Sequence, residues 1–182
     1  MLFPSIRLGY LVLPPDLVEP FAAAISVTVR HAPVLDQAVL ADFITGGHLG
    51  RHIRRMREIY AERQSVLVSA AREELTGLLD VCSIEAGLQT VGWLCDGING
   101  ITAAKAASER GVEVVPLSKY AREPFRCVWP DRHGKWREGL QLGFAAIPPT
   151  EIRRGVEELA IALEQLVREK NQSGRRRQAA SA

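Results

Sequence analysis

Arg7 lies just inside an apolar run, Ser5-Ile6-Arg7-Leu8-Gly9-Tyr10. A guanidinium among apolar side chains is costly unless its charge is paired. It suits a carboxylate or a phosphate, either of which it can grip through two parallel N–H donors. A structural salt bridge would meet the same need. His48 and His52 stand four residues apart and can share one face of a helix, as two metal ligands would. No Asp, Glu or Cys stands out as a third ligand, so they read as surface histidines. Cys127 sits in a polar stretch without a basic helical setting and reads as incidental. The run Arg175-Arg176-Arg177 could touch phosphates, but a soluble trailing tail explains it more simply. The sequence holds no G-x-S-x-G, no Walker A motif, no H-E-x-x-H and no G-x-G-x-x-G opening a helix.

Composition narrows the setting. The chain has 182 residues, 47% of them hydrophobic and 24% charged, which is the balance of a globular domain. Its net charge of +2 becomes −1 without the three clustered arginines, so the body does not read as nucleic-acid-binding. Three cysteines, Cys82, Cys95 and Cys127, show no C-x-x-C spacing. That argues against a disulfide framework or a zinc ribbon and for a reducing, cytoplasmic location. No apolar stretch is long enough to span a membrane, and the N-terminus lacks the pattern of a signal peptide.

The elements follow from periodicity. Arg7–Leu13 reads as a buried strand ended by Pro14-Pro15. Leu17, Phe21 and Ile25 give one helical face. Leu35, Val39 and Phe43 give a second, in a helix with Pro33 in its first turn and Gly46-Gly47 at its end. From His48 to Leu75, apolar residues at Leu49, Ile53, Met56, Tyr60, Leu67 and Ala71 predict one long helix. Arg51, Arg54, Arg55, Arg57, Glu58, Glu62 and Arg63 lie between them and form its solvated face. Two strands are expected at 79–84 and 88–94, with a turn at 85–87. A short Ala-rich helix should cover 101–110, and Val112–Val115 should be a strand stopped by Pro116. A polar excursion follows, then a strand at 140–147. The last helix carries Ile152, Val156, Leu159, Leu163 and Leu166, and the sequence beyond Asn171 has no apolar face. This predicts an α/β arrangement, a small sheet with helices packed on it.

The segments Leu2–Pro14, Gly47–Arg57, Tyr60–Arg63, Glu85–Leu88, Val115–Tyr120, Leu142–Ala145 and Glu151–Val156 together resemble the aminotransferase-like domain of MocR-type regulators. This is a group within the GntR superfamily of transcription regulators. Their order and spacing carry the resemblance, which spans residues 2–168. It implies the C-terminal portion of the fold-type-I transferase fold that binds pyridoxal 5′-phosphate (PLP). Residues 1–46 would be a remnant of the large cofactor-binding domain, 47–75 a long connecting helix, 76–170 the small C-terminal domain, and 171–182 a disordered tail. The parent would be a homodimer sensing PLP or an amino compound, with DNA bound only through an N-terminal domain.

The resemblance also implies roles. Arg7 matches the arginine that contacts the PLP phosphate. Gln141 falls where related aminotransferases carry an arginine that clamps the substrate α-carboxylate. Ser118 lies in a loop that approaches the site. The Schiff-base lysine of the family precedes the Leu-Phe-Pro that opens this chain, where Met1 stands. Lys105, Lys119, Lys135 and Lys170 match no cofactor position. No catalytic residue is therefore assigned, and the chain alone should be inactive as a transaminase. Two other readings stay open. One is an aminotransferase remnant or subunit partnering a chain that supplies the lysine. The other is a non-catalytic α/β interaction module.

Overall fold

The computed structural model describes residues 7–31, 33–95, 97–120, 129–130 and 136–180. Two compact units result, residues 1–56 and 57–182.

The first unit carries α1 (Pro15–Thr28) and α2 (Val34–Thr45). Pro15 opens α1 at a position where its missing N–H costs nothing. Pro33 caps α2 rather than lying in its first turn. Gly46 closes α2, and Gly47, at φ +72°, turns the chain where a side chain would be strained. Neither helix has a buried residue. The strand expected at 7–13 is a correction. Those residues lie outside any strand, and Tyr10 and Val12 are 90% and 88% exposed. A strand needs a neighbour to pair its backbone, and no described residue supplies one. Arg7 is exposed too, so water solvates the charge that a buried strand would have forced into a pair.

The helix α3 (His48–Glu74) follows the expected span and is about 40 Å long. Its last turns enter the core of the second unit through Leu67, Val68, Ala70 and Ala71, and Leu75 follows them directly after the helix. The sheet there contains β1 (Leu79–Val81), β2 (Gln89–Leu94), β3 (Val115–Pro116) and β6 (Gly139–Gly143) in the order β1-β2-β6-β3, every pair antiparallel. A separate ribbon pairs β4 (Trp129–Pro130) with β5 (Trp136–Arg137). Leu79, Val81, Leu94, Leu140 and Leu142 are buried against α3, against α4 (Gly100–Glu109) and against the first part of α5 (Pro149–Ala180). Phe144 and Leu163 are fully buried in the same core.

The strands are shorter than their sequence patterns, for reasons visible in the hydrogen bonds. Beyond Val81 the Gln64 side chain takes over from the ladder. Its Oε1 accepts from the Ile84 N–H at 2.9 Å and its Nε2 donates to the Ile84 carbonyl at 3.0 Å. Val112 is taken by the end of α4. Its N–H bonds to Ala107 O while Gly111, at φ +76°, bonds to Ser108 O. Those two bonds form a Schellman closure, which delays β3 until Val115. After Gly143, the Phe144 and Ala145 N–H groups turn to Leu88 O, and Arg63 donates to Ala145 O.

The helix α5 is also longer than expected. Its backbone stays helical to Ala180, where a disordered tail was expected from 171. Between Asn171 and Ala180 the sequence holds no proline, and Arg, Gln and Ala are good helix formers. Extending an existing helix avoids the cost of nucleating one.

One cap is testable. Asn99 begins α4, and its Oδ1 accepts from the Ile101 and Thr102 N–H groups at 3.1 Å each. Glu138 accepts from the Gly100 N–H and, at 3.2 Å, from Asn99 Nδ2. Replacing Asn99 with Ala should cost about 1 kcal/mol of unfolding free energy, measured by urea denaturation of the second unit.

Candidate functional site

The sheet has two unlike faces. Along β6, Leu140 and Leu142 point into the core, so Gln141 must point to the opposite side. Gln141 is central there, flanked by Val91 of β2 and Val115 of β3. The two flanking side chains and Gln141 are half-buried.

Tyr120 stands over this face. It ends a short 3-10 turn, Leu117–Tyr120, which directly follows β3. Its hydroxyl donates to Gln141 Oε1 at 2.7 Å. Gln141 Nε2 in turn donates to Gln89 Oε1. The three side chains form one chain of neutral hydrogen-bonding groups. After these bonds Gln141 keeps one amide hydrogen and Gln89 keeps its amide nitrogen as donors.

The turn packs closely because Gly139 has no side chain. A Cβ there would sit 2.9 Å from Leu117 Cδ1. Ser118 lies in the same turn. Its Oγ is buried and, among the described residues, has no hydrogen-bond partner. The structure thus joins two of the sequence-derived site residues, Gln141 and Ser118, through the turn that carries Tyr120. Arg7 belongs to the other unit and is exposed.

Sequence reasoning missed Tyr120 and Gln89. The resemblance alone singles out Gln141, as the residue that stands where related aminotransferases carry an arginine. Gln89 opens the next strand, yet only the register, Gln89 opposite Gly143, shows that it can reach that face. Tyr120 arrives from a turn whose path no periodicity encodes.

The remaining candidates carry less chemistry. His48 stacks on Phe43 with ring centroids 5.7 Å apart. Among the described residues no His, Cys, Asp and Glu come together as a metal site. Cys127 lies outside the described residues. A cavity of about 250 Å³ is lined by Cys95, Asn99, Arg137 and Glu138 among others. Asn99 and Glu138 are already committed there to the start of α4.

This architecture is that of the fold-type-I aminotransferases. The α-aminoadipate aminotransferase LysN of Thermus thermophilus, solved with N-(5'-phosphopyridoxyl)-L-leucine, aligns with a TM-score of 0.75 at 22% identity, over 90% of this chain and 39% of that one. The sequence points further, to the aminotransferase-like domain of MocR-type regulators, which this chain resembles. The probable rhizopine catabolism regulatory protein MocR of Rhizobium meliloti is 38% identical over 161 residues, 88% of this chain and 31% of that protein. The HTH-type transcriptional regulator YhdI of Bacillus subtilis is 30% identical over 168 residues, 91% of this chain and 33% of that one. No family model matches the chain. The chain spans about a third of the length of the curated relatives it matches. No helix among the described residues is long and apolar enough to cross a membrane.

PLP is the cofactor this likeness implies for the family. The described residues do not by themselves fit it. Covalent capture needs an amine sheltered beside the phosphate and ring sites. Lys105, Lys119 and Lys170 are all exposed, and Lys170 donates to Gly97 O at 2.9 Å. Lys135 lies outside the described residues. The one site cation matched to a phosphate, Arg7, is exposed.

Proposed function

We propose that these residues are part of the sensing body of a MocR-type transcription regulator, a body of aminotransferase ancestry that recognises PLP or an amino compound. Arg7 would contact the cofactor phosphate. Gln141 and Ser118 would face the ligand. The parent would act as a homodimer, with DNA held by an N-terminal domain.

The observation that carries the reading is the neutral chain Tyr120–Gln141–Gln89. The resemblance puts an arginine at the position of Gln141 in related aminotransferases. An arginine grips a carboxylate with two charged N–H donors, whereas Gln141 offers a single uncharged one. The Tyr120 hydroxyl occupies its oxygen and so fixes which end of the amide can meet a ligand. This favours recognition over ordinary amino-acid turnover.

The test uses a protein extended upstream to carry the lysine segment that the resemblance implies. Calorimetry would compare an amino acid with the amine that lacks its carboxylate. The wild type should discriminate little between them. Gln141→Arg should favour the carboxylate by about tenfold or more, because a charge-assisted pair replaces a neutral bond. A wild-type preference already that large would overturn the reading. An upstream frame that encodes the lysine segment but no winged helix would favour the aminotransferase subunit instead.

A further inference from the structure

Glycine weakens a strand, and inside a sheet it often marks a place where a ligand or another backbone comes close. Three glycines stand in β2 and β6. A Cβ on Gly92 would sit 2.7 Å from Leu79 Cδ2, and one on Gly139 2.9 Å from Leu117 Cδ1. Packing within the fold therefore excludes a side chain at both. A Cβ on Gly143 would meet no atom of the described residues within 4 Å. Nor does its backbone require glycine, because its φ lies outside the left-handed region.

Gly143 shares the open face of the sheet with Gln141, two residues back along β6 and about 7 Å away. In the register it stands opposite Gln89, where paired Cα atoms are about 4.5–5.5 Å apart. It is exposed, although Leu142 and Phe144 on either side of it are buried. The free space above Gly143 is thus flanked by two amides. The direction of the hydrogen bonds from Tyr120 to Gln141 and on to Gln89 leaves N–H groups of both amides free to donate.

We infer that the floor over Gly143 is a ligand subsite, and that it takes an uncharged oxygen, a hydroxyl or a carbonyl, at the far end of an amino compound. The amine in that ligand rests on the sensing reading of the same face; the oxygen subsite does not. A ligand that covers Gly143 takes water away from both amides, so it must supply an acceptor in return. An apolar end would leave the two donors unpaired. A carboxylate would have to leave water for neutral donors alone, whereas a desolvated charge calls for a charged partner. An uncharged oxygen loses less hydration and still offers two lone pairs, one for each amide.

Gly143→Ala fills the floor without displacing any described atom, so it separates ligand space from fold. In the 182-residue chain, and in the protein extended upstream, the variant should melt at the wild-type temperature or higher, since alanine suits a strand better than glycine. In the extended protein, calorimetry compares propylamine, butylamine and pentylamine with the amino alcohols that carry a terminal hydroxyl. At the chain length that reaches Gly143, the hydroxyl should tighten binding by about fivefold, the effect of one neutral hydrogen bond. Gly143→Ala and Gln89→Leu should each abolish that gain and leave the plain amines unchanged. No hydroxyl gain in the wild type, or a gain that survives both variants, would overturn the inference. So would a lower melting temperature of Gly143→Ala in either chain, which would show that protein already occupies the space. Altered self-association of Gly143→Ala by sedimentation would assign the floor to a second copy and overturn it too. If neither series binds, the sensing reading fails as well; if the two series bind alike, the oxygen subsite fails alone.

Discussion

Deleting residues 1–46 is expected to turn a self-associating chain into a monodisperse one. Fourteen of the eighteen large apolar side chains that are exposed among the described residues precede residue 57. They include Tyr10, Leu11 and Val12 in the unpaired segment, Phe21 and Ile25 on α1, and Leu35 and Val39 on α2. The first buried residue along the described chain is Leu67, so the core owes nothing to the segment removed. Exposed apolar area on this scale drives association, and each large side chain brought out of water contributes about 1.5–3 kcal/mol when fully buried. Light scattering at matched concentrations checks the result. The deletion should also keep the thermal transition of the second unit, whose core from Leu67 to Leu163 stays intact. Equal monodispersity of the two chains would show that the first unit covers its own apolar surface.

The same contrast explains what the sequence could disclose. The helix α3 was legible because Leu49, Ile53, Met56, Tyr60, Leu67 and Ala71 repeat with the helical period over its whole length. The helix α4 was legible from its Ala-rich composition, whereas its Asn99 cap emerges only from the folded chain. The segment 7–13 misled because an apolar run of strand-like composition reports what it would bury, not whether a neighbour is present to bury it. Ile84 and Val112 also fit a strand pattern. Each lost its place in the ladder to a competing partner, the Gln64 side chain in one case and the Ala107 carbonyl in the other. Such competition is invisible to periodicity. Likewise Gln141 could be picked out through the resemblance, but Tyr120 and Gln89 meet it through a turn and a register that depend on the folded sheet.

The 182-residue chain is expected to form no saturable lysine adduct with PLP. A charge-assisted hydrogen bond contributes about 1.5–3 kcal/mol even in favourable surroundings, whereas micromolar affinity requires about 8 kcal/mol. Arg7 is exposed and contributes less than a buried guanidinium would. The described lysines add no sheltered amine. Lys105 projects from α4, Lys119 from the turn beside Ser118, and Lys170 from α5. Titrating PLP, trapping with borohydride and mapping the peptides should give weak labelling spread over several lysines, and Arg7→Ala should leave that pattern as it is. A single lysine labelled at micromolar affinity and lost in Arg7→Ala would show that these residues build a complete cofactor site. In a chain extended upstream through the lysine segment, the balance should reverse. The phosphate would then be enclosed, and an enclosed anion that loses its guanidinium partner is left uncompensated. Arg7→Ala in that longer chain should weaken PLP binding by about tenfold or more, since one such contact lies within the range of about 1.5–3 kcal/mol.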